Sequence, residues 1–182
     1  MPCALIIGAT GILAPAVDTL TSRGWSVLAV ARSEQRLRSL RSNRPLTYGA
    51  VHTLAADAEH PSFLRLLERR LRSSDLTLSA TALYAPVTAV AVATALTKIV
   101  DGPIVEVLTS GIATPAFEGD RWSIDRLGGS GPTNVRLVLG WRREFGTTRW
   151  HTPEEISAAV VATLADPRDR LLGTVTPWSE RP

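Results

Sequence analysis

Three stretches carry residue types that can do chemistry. The first is Gly8-Ala9-Thr10-Gly11-Ile12-Leu13-Ala14, which sits between an apolar run and a helical pattern. A turn of such small residues lets backbone N–H groups and a helix N-terminus come close to a diphosphate. Gly8, Thr10, Gly11, Ile12 and Leu13 are therefore candidate contacts to a dinucleotide; the plainer alternative is a glycine turn that closes the helix onto a sheet. In the second stretch, the next apolar run ends at Ala31 and is followed by Arg32 and Ser33. An acid there would hold a ribose 2′-hydroxyl, whereas a guanidinium and a hydroxyl suit a 2′-phosphate, so NADP is expected ahead of NAD. Asp57, after the third run, stands where a carboxylate meets an adenine amino group, or else caps the next turn. The third stretch is the set of proton carriers Ser110, Tyr84 and His151, each placed at a strand end or ahead of a helix. Ligands bind at the carboxyl edge of open α/β sheets, and these three are the candidate catalytic residues. No metal site is expected, because His52, His60 and His151 lack ligand spacing and Cys3 has no partner.

The elements that must position these residues alternate between strand and helix. Strands are expected at 3–7, 26–31, 51–56, 76–83 and 104–109, with helices at 13–23, 33–42, 61–73 and 87–100. Ser33 is placed as an N-cap. The stretch 114–133 reads as an irregular loop, and 135–140 as a sixth strand. Thr152-Pro153-Glu154-Glu155 opens a further helix with a capping box and with Pro at its first position, and this helix ends at Pro167. A short strand at 171–175 closes the pattern. The expected architecture is a Rossmann-like doubly wound parallel sheet of six to seven strands with helices on both faces. It forms one domain, in which 1–112 is the cofactor half and 113–182 the substrate half.

Composition agrees with a folded globular chain: 182 residues, 45% hydrophobic and 20% charged. The net charge of +3 is interleaved with 17 acids, so nucleic acid is not an expected partner. The basic run from Arg65 to Arg72 carries leucines at 64, 66, 67 and 71, the pattern of a helix with one buried stripe and a solvated basic face. Between Asp75 and Lys98 no residue is charged, but its threonines, Pro86 and alanine-rich second half read as strand, turn and helix rather than a membrane span. The N-terminus has no basic region ahead of its apolar run, so a cytoplasmic protein is expected. The uncharged 87–97 helix points to a homodimer. Trp122, Trp141, Trp150 and Trp178 all lie in the last third and suit an aromatic wall or an interface, with core filling for at least two.

Taken together, the GATGILA loop, Val30-Ala31-Arg32-Ser33, Asp57 and Ile104–Gly111 (IVEVLTSG) resemble the short-chain dehydrogenase/reductase superfamily through the fifth strand. The resemblance implies a Rossmann fold binding NAD(P), Ser110 as the hydroxyl that holds a substrate carbonyl, and hydride transfer to a small molecule. Usual members carry a tyrosine four residues before a lysine on the following helix; here no tyrosine follows Tyr84 and no lysine follows Lys98. The end of the chain, with Arg149-Trp150-x-Thr152-x-Glu154-Glu155-Ile156 and Gly173-Thr174-x-x-Pro177-Trp178, is similar to a set of abbreviated bacterial chains. The resulting expectation is an NADP(H)-dependent reductase of a small carbonyl or imine, an iminium arriving already protonated. The alternative is a non-catalytic sensor that binds NADP without turning it over, and a scaffold that has lost its cofactor comes third.

Overall fold

The computed structural model describes residues 1–42, 49–84, 89–114 and 133–182. Along these the chain forms β1 (Cys3–Ile7), α1 (Ala14–Ser22), β2 (Ser26–Ala31), α2 (Glu34–Ser42), β3 (Val51–Ala55), α3 (Phe63–Ser74), β4 (Leu78–Tyr84), α4 (Ala89–Leu96) and β5 (Ile104–Thr109). A 3-10 turn over Ser110–Ala113 follows. The second part has β6 (Asn134–Leu139), β7 (Trp141–Glu144), β8 (Thr147–Trp150), α5 (Pro153–Ala165) and β9 (Arg170–Leu172). Seven strands make one parallel sheet in the order β3-β2-β1-β4-β5-β6-β9, and β7 and β8 form a separate antiparallel hairpin. The fold is thus the expected Rossmann-like α/β sheet with helices on both faces.

The sequence pattern explains why the sheet sits in the middle. β1 and β2 are buried at every position, as strands covered on both faces must be. Ala4 and Ile6 pack with Leu13, Val17 and Leu20 of the α1 segment, Leu37 of α2 and Val160 of α5. Cys3, Leu5 and Ile7 point the other way, toward Phe63 and Leu67 of α3 and Ala93 and Leu96 of α4. α3 buries only that stripe and leaves Arg65, Arg69 and Arg72 exposed, the solvated face the basic run predicts. α5 starts as the sequence prescribes: Thr152 Oγ1 accepts the Glu155 N–H, and the Glu155 carboxylate accepts the Thr152 N–H.

One connection breaks the usual handedness. α1 and α2 link strands that progress toward β3, whereas α3 and α4 lie on the opposite face and link strands that progress toward β9; all four therefore share one hand. α5 also progresses toward β9, from β6, yet it packs on the face of α1. Its crossover consequently has the opposite hand from the others, an arrangement rare in parallel sheets. The hairpin inserted between β6 and α5 carries the chain to that face.

The hairpin is the element the sequence does not announce. Its tip residues Phe145 and Gly146 both have positive φ, 51° and 81°, and a phenylalanine is not a residue that signals such a turn. Other boundaries shift by a few residues. β4 begins at Leu78 and includes Tyr84 as its last residue, the last strand is Arg170–Leu172, and the helix expected over 87–100 is Ala89–Leu96, with 87 and 88 outside the described residues. Most of the expected loop at 114–133, including Trp122, also lies outside them. No helix among the described residues is long and apolar enough to cross a membrane.

Candidate functional site

Leaving β1 the chain turns toward β2, and from β3 it returns to β4 on the other side of β1. The carboxyl ends of β1 and β4 therefore diverge, which opens the crevice where open α/β sheets take ligands. Gly8 occupies it with φ of +89°, next to Tyr84, whose Cβ would lie 3.5 Å from a Cβ placed at Gly8. That is ordinary contact, so the backbone conformation and not the space calls for glycine. The Gly8 and Ala9 N–H groups both donate to the Val30 carbonyl, at 2.9 and 3.1 Å, and the Gly11 N–H donates to the Gly8 carbonyl at 3.1 Å. These bonds fix the loop. The N–H groups of Thr10, Ile12 and Leu13 have no acceptor among the described residues, α1 begins after Leu13 with no side-chain cap, and Pro15 in its first turn has no N–H. The free donors thus gather at the positive end of the α1 dipole.

Beside this loop runs a groove of about 490 Å³ lined by Thr10, Ala14 and Asp18 on one side and Ser33, Gln35, Arg36, Ser39 and Leu40 on the other. Ser33 caps α2, its Oγ accepting the Arg36 N–H at 3.3 Å. Arg32 is exposed at the end of β2, and neither its guanidinium nor that of Arg36 has a partner among the described residues. Arg38, on the same helix, is spent on Glu34 at 2.7 Å. Arg36 escapes a sequence reading because it looks like any outer-face helix arginine. Its spacing of three from Ser33 is the signal that places both on one side of the first turn. Asp57 is close by, since the Ala56 N–H donates to the Ala31 carbonyl at 3.0 Å. Its Oδ1 accepts the Glu59 N–H at 3.0 Å, so one of its oxygens caps the turn that leads into α3.

The three candidate proton carriers are not equivalent. Tyr84 ends β4 and Ser110 directly follows β5, so both stand at the carboxyl edge on neighbouring strands. Tyr84 is half-buried and Ser110 is 2% exposed, and the structure records no hydrogen bond among the described residues for either hydroxyl. His151 is elsewhere. Its ring packs against Gly173, just past β9, and its Nδ1 is 3.3 Å from Glu155 Oε2. Two strand spacings, about 10 Å, separate the ends of β5 and β9. The side chain of His151 is only 6% exposed, and neither ring nitrogen makes a hydrogen bond among the described residues. The structure places Tyr84 and Ser110 at the carboxyl ends of adjacent strands, with Tyr84 paired to Val107, three residues before Ser110, and leaves His151 in a separate cluster.

That cluster fixes the start of α5. Arg149 donates to both Glu155 oxygens, at 2.8 and 2.9 Å, and to Glu144 at 3.0 Å, while Arg142 donates to Glu155 at 2.6 Å. These cations and the Thr152 N–H hold the Glu155 carboxyl far below the usual carboxylate range. At the base of the hairpin, where Trp141 pairs with Trp150, Trp141 is fully buried and meets Trp150 and Trp178 edge-on, at 6.4 and 5.8 Å between centroids. The Arg181 guanidinium stacks over the two outer rings. Trp141 and Ala113 share a small core at the carboxyl end of β6, so the aromatic wall begins next to the turn that carries Ser110. Toward the start of β6 the structure shows a pair not singled out from sequence: Asn134 Nδ2 donates to the buried Glu106 carboxylate at 2.7 Å. Among the described residues no group of acids, histidines or cysteines is arranged to hold a metal.

Neither a family model nor a curated protein sequence matches the chain. Solved structures do. The chain is similar to a short-chain dehydrogenase/reductase from Serratia marcescens, at 17% identity and a TM-score of 0.71, over 94% of this chain and 96% of that one. A carbonyl reductase from Pseudomonas aeruginosa in complex with NADP aligns at 19% identity and a TM-score of 0.62, over 100% and 98% of the two chains. An alcohol dehydrogenase from Thermococcus sibiricus complexed with 5-hydroxy-NADP aligns at 15% identity and a TM-score of 0.63, over 94% and 96%. The chain has the fold of the short-chain dehydrogenase/reductases.

Proposed function

We propose that the protein is an oxidoreductase of the short-chain dehydrogenase/reductase type that binds NADP(H) and reduces a small carbonyl or imine. The observation that carries this reading is the joining of unspent donors and unpaired cations in one place. The free N–H groups of Thr10, Ile12 and Leu13 suit a pyrophosphate, and Arg32, Ser33, Arg36 and Thr10 beside them suit a 2′-phosphate. Two solved structures of the same fold, the carbonyl reductase from Pseudomonas aeruginosa and the alcohol dehydrogenase from Thermococcus sibiricus, are complexes with NADP and 5-hydroxy-NADP. Bound in this crevice, a reduced nicotinamide supplies hydride to an electrophilic carbon. Asp57 lies on the adenine side, next to the end of β2. Ser110 orients the substrate from the end of β5, and the Tyr84 hydroxyl at the end of the neighbouring strand gives up the proton. The Trp141 cluster at the end of β6 supplies an apolar wall.

The test is NADPH oxidation driven by a panel of small aldehydes, ketones and cyclic imines, repeated with Ser110→Ala and Tyr84→Phe. The reading predicts turnover in the parent protein that falls by about 10²-fold or more when the proton donor is removed. A second reading has its own support: no tyrosine follows Tyr84, no lysine follows Lys98, and Ser110 is nearly inaccessible. A sensor that binds NADP(H) and does not turn it over shows tight binding and no oxidation across the whole panel.

A further inference from the structure

Ser157 behaves unlike the other helical hydroxyls. Thr19, Thr21, Ser39, Ser42 and Thr163 each return a hydrogen bond to a carbonyl four residues back in their own helix, the usual fate of such groups. Ser157, in the second turn of α5 and 1% exposed, instead donates to the Ile12 carbonyl of the glycine loop at 3.0 Å, across 145 residues of sequence. A trans peptide points its C=O and the following N–H in opposite directions. Holding the Ile12 carbonyl toward α5 therefore turns the Leu13 N–H away from α5. Leu13 is one of the three loop amides with no acceptor of its own.

We infer that Ser157 is a positioning residue for the pyrophosphate of the dinucleotide, acting through the Ile12–Leu13 peptide. The inference rests on the cofactor reading above and adds to it a second support for the loop. Two features keep Ser157 in place. Ile156, Val160 and Val161 pack α5 into the same core as Leu13 and Val17, so the helix cannot slide along α1 without breaking that core. Ahead of Ser157, Glu155 is tied to Arg142 and Arg149 of the hairpin and to Thr152. The hairpin thus sets the start of the helix, and the helix sets one peptide plane of the loop.

The experiment is Ser157→Ala, with affinities measured for NADPH, ADP and 2′-AMP. ADP carries the diphosphate alone, and 2′-AMP carries the 2′-phosphate without a diphosphate. The expected result is a loss of about 5- to 10-fold for NADPH and for ADP with 2′-AMP unchanged, together with a shifted Leu13 amide resonance in the protein without ligand. Ser157→Cys, which keeps a weak donor of similar size, falls between parent and Ala, and it replaces Ala if that variant does not fold. Equal affinities for ADP in parent and variants, or an equal loss for all three ligands, overturns the positioning role while leaving the cofactor site standing. A parent protein that binds none of the three overturns the cofactor reading and this inference with it.

Discussion

Replacing Arg32 and Arg36 with alanine should separate NADPH from NADH. Arg36 lines the groove beside Thr10 and Ser33, Arg32 is exposed at the end of β2 next to Ser33, and neither guanidinium has a partner among the described residues, so their removal breaks no ion pair there and the effect on affinity is not mixed with a loss of fold. A charge-assisted hydrogen bond contributes about 1.5–3 kcal/mol. Arg32 and Arg36 are both solvent-exposed, which puts each near the low end of that range through screening. At about 1.4 kcal/mol per factor of ten, each single variant weakens NADPH about 10-fold. The pair, acting on one phosphate, weakens it by about 30- to 100-fold, less than strict additivity where the two couple. NADH, with a hydroxyl in place of the phosphate, is unaffected. Arg38→Ala is the built-in control: it is two residues from Arg36 but already engaged by Glu34, and it leaves both affinities alone. Fluorescence titrations at two salt concentrations read all of this, because the NADPH preference of the parent shrinks as salt rises and that of the double variant does not. The reasoning fails if Arg32→Ala and Arg36→Ala match Arg38→Ala, or if they weaken NADH as much as NADPH.

Three further outcomes follow from the packing and the charges. Glu155→Gln removes the anion that Arg142 and Arg149 share, and lowers stability by about 1 kcal/mol in thermal melts near neutral pH, much of the Coulombic part being screened at a surface site. Because the folded carboxyl titrates below its unfolded counterpart, the stability it confers is complete above about pH 4.5 and declines as pH falls below that. The parent should thus lose stability on acidification more steeply than the Gln variant, and parallel acid limbs would contradict the assignment. Cys3 is buried and its thiol is pushed upward by burial. A thiol reagent at pH 8 should accordingly label it only as fast as the protein unfolds, and rapid native labelling would show the first strand to be loose. Leu28→Ala, at a fully buried position of β2, should cost about 2–5 kcal/mol by denaturant titration with no change in the NADPH-to-NADH ratio.

Much of the fold was legible because local rules and tertiary packing agree. β1 and β2 read as short apolar runs since both faces are covered, and the start of α5 is written as Thr-Pro-Glu-Glu, where cap, first-position proline and box partner fall in the right places. The glycine loop could be placed from its two glycines, but not the division of labour within it. That Gly8 and Ala9 spend their N–H groups on Val30 while Thr10, Ile12 and Leu13 keep theirs depends on strand pairing far off in the sequence. Arg36 was hidden for a similar reason, its role coming from the facing loop rather than from its own helix. His151 is the reverse case. Its type suggests chemistry, and the structure sets its ring against Gly173 and beside Glu155 with the side chain 6% exposed, surroundings that sequence spacing does not show. The hairpin itself turns on two left-handed residues of which only one is glycine.

The central claim is that the loop after β1 holds a dinucleotide pyrophosphate. The most direct measurement is amide chemical-shift mapping of the labelled protein during titration with NADP. The amides of Thr10, Ile12 and Leu13, which have no acceptor among the described residues, are expected to move first and farthest, with Ser33 and Arg36 next, while the Gly8 and Ala9 amides, bonded to the Val30 carbonyl, keep their hydrogen-bond partner. Absence of any shift up to millimolar NADP, or shifts confined to the β7–β8 hairpin, would contradict a pyrophosphate site in this loop.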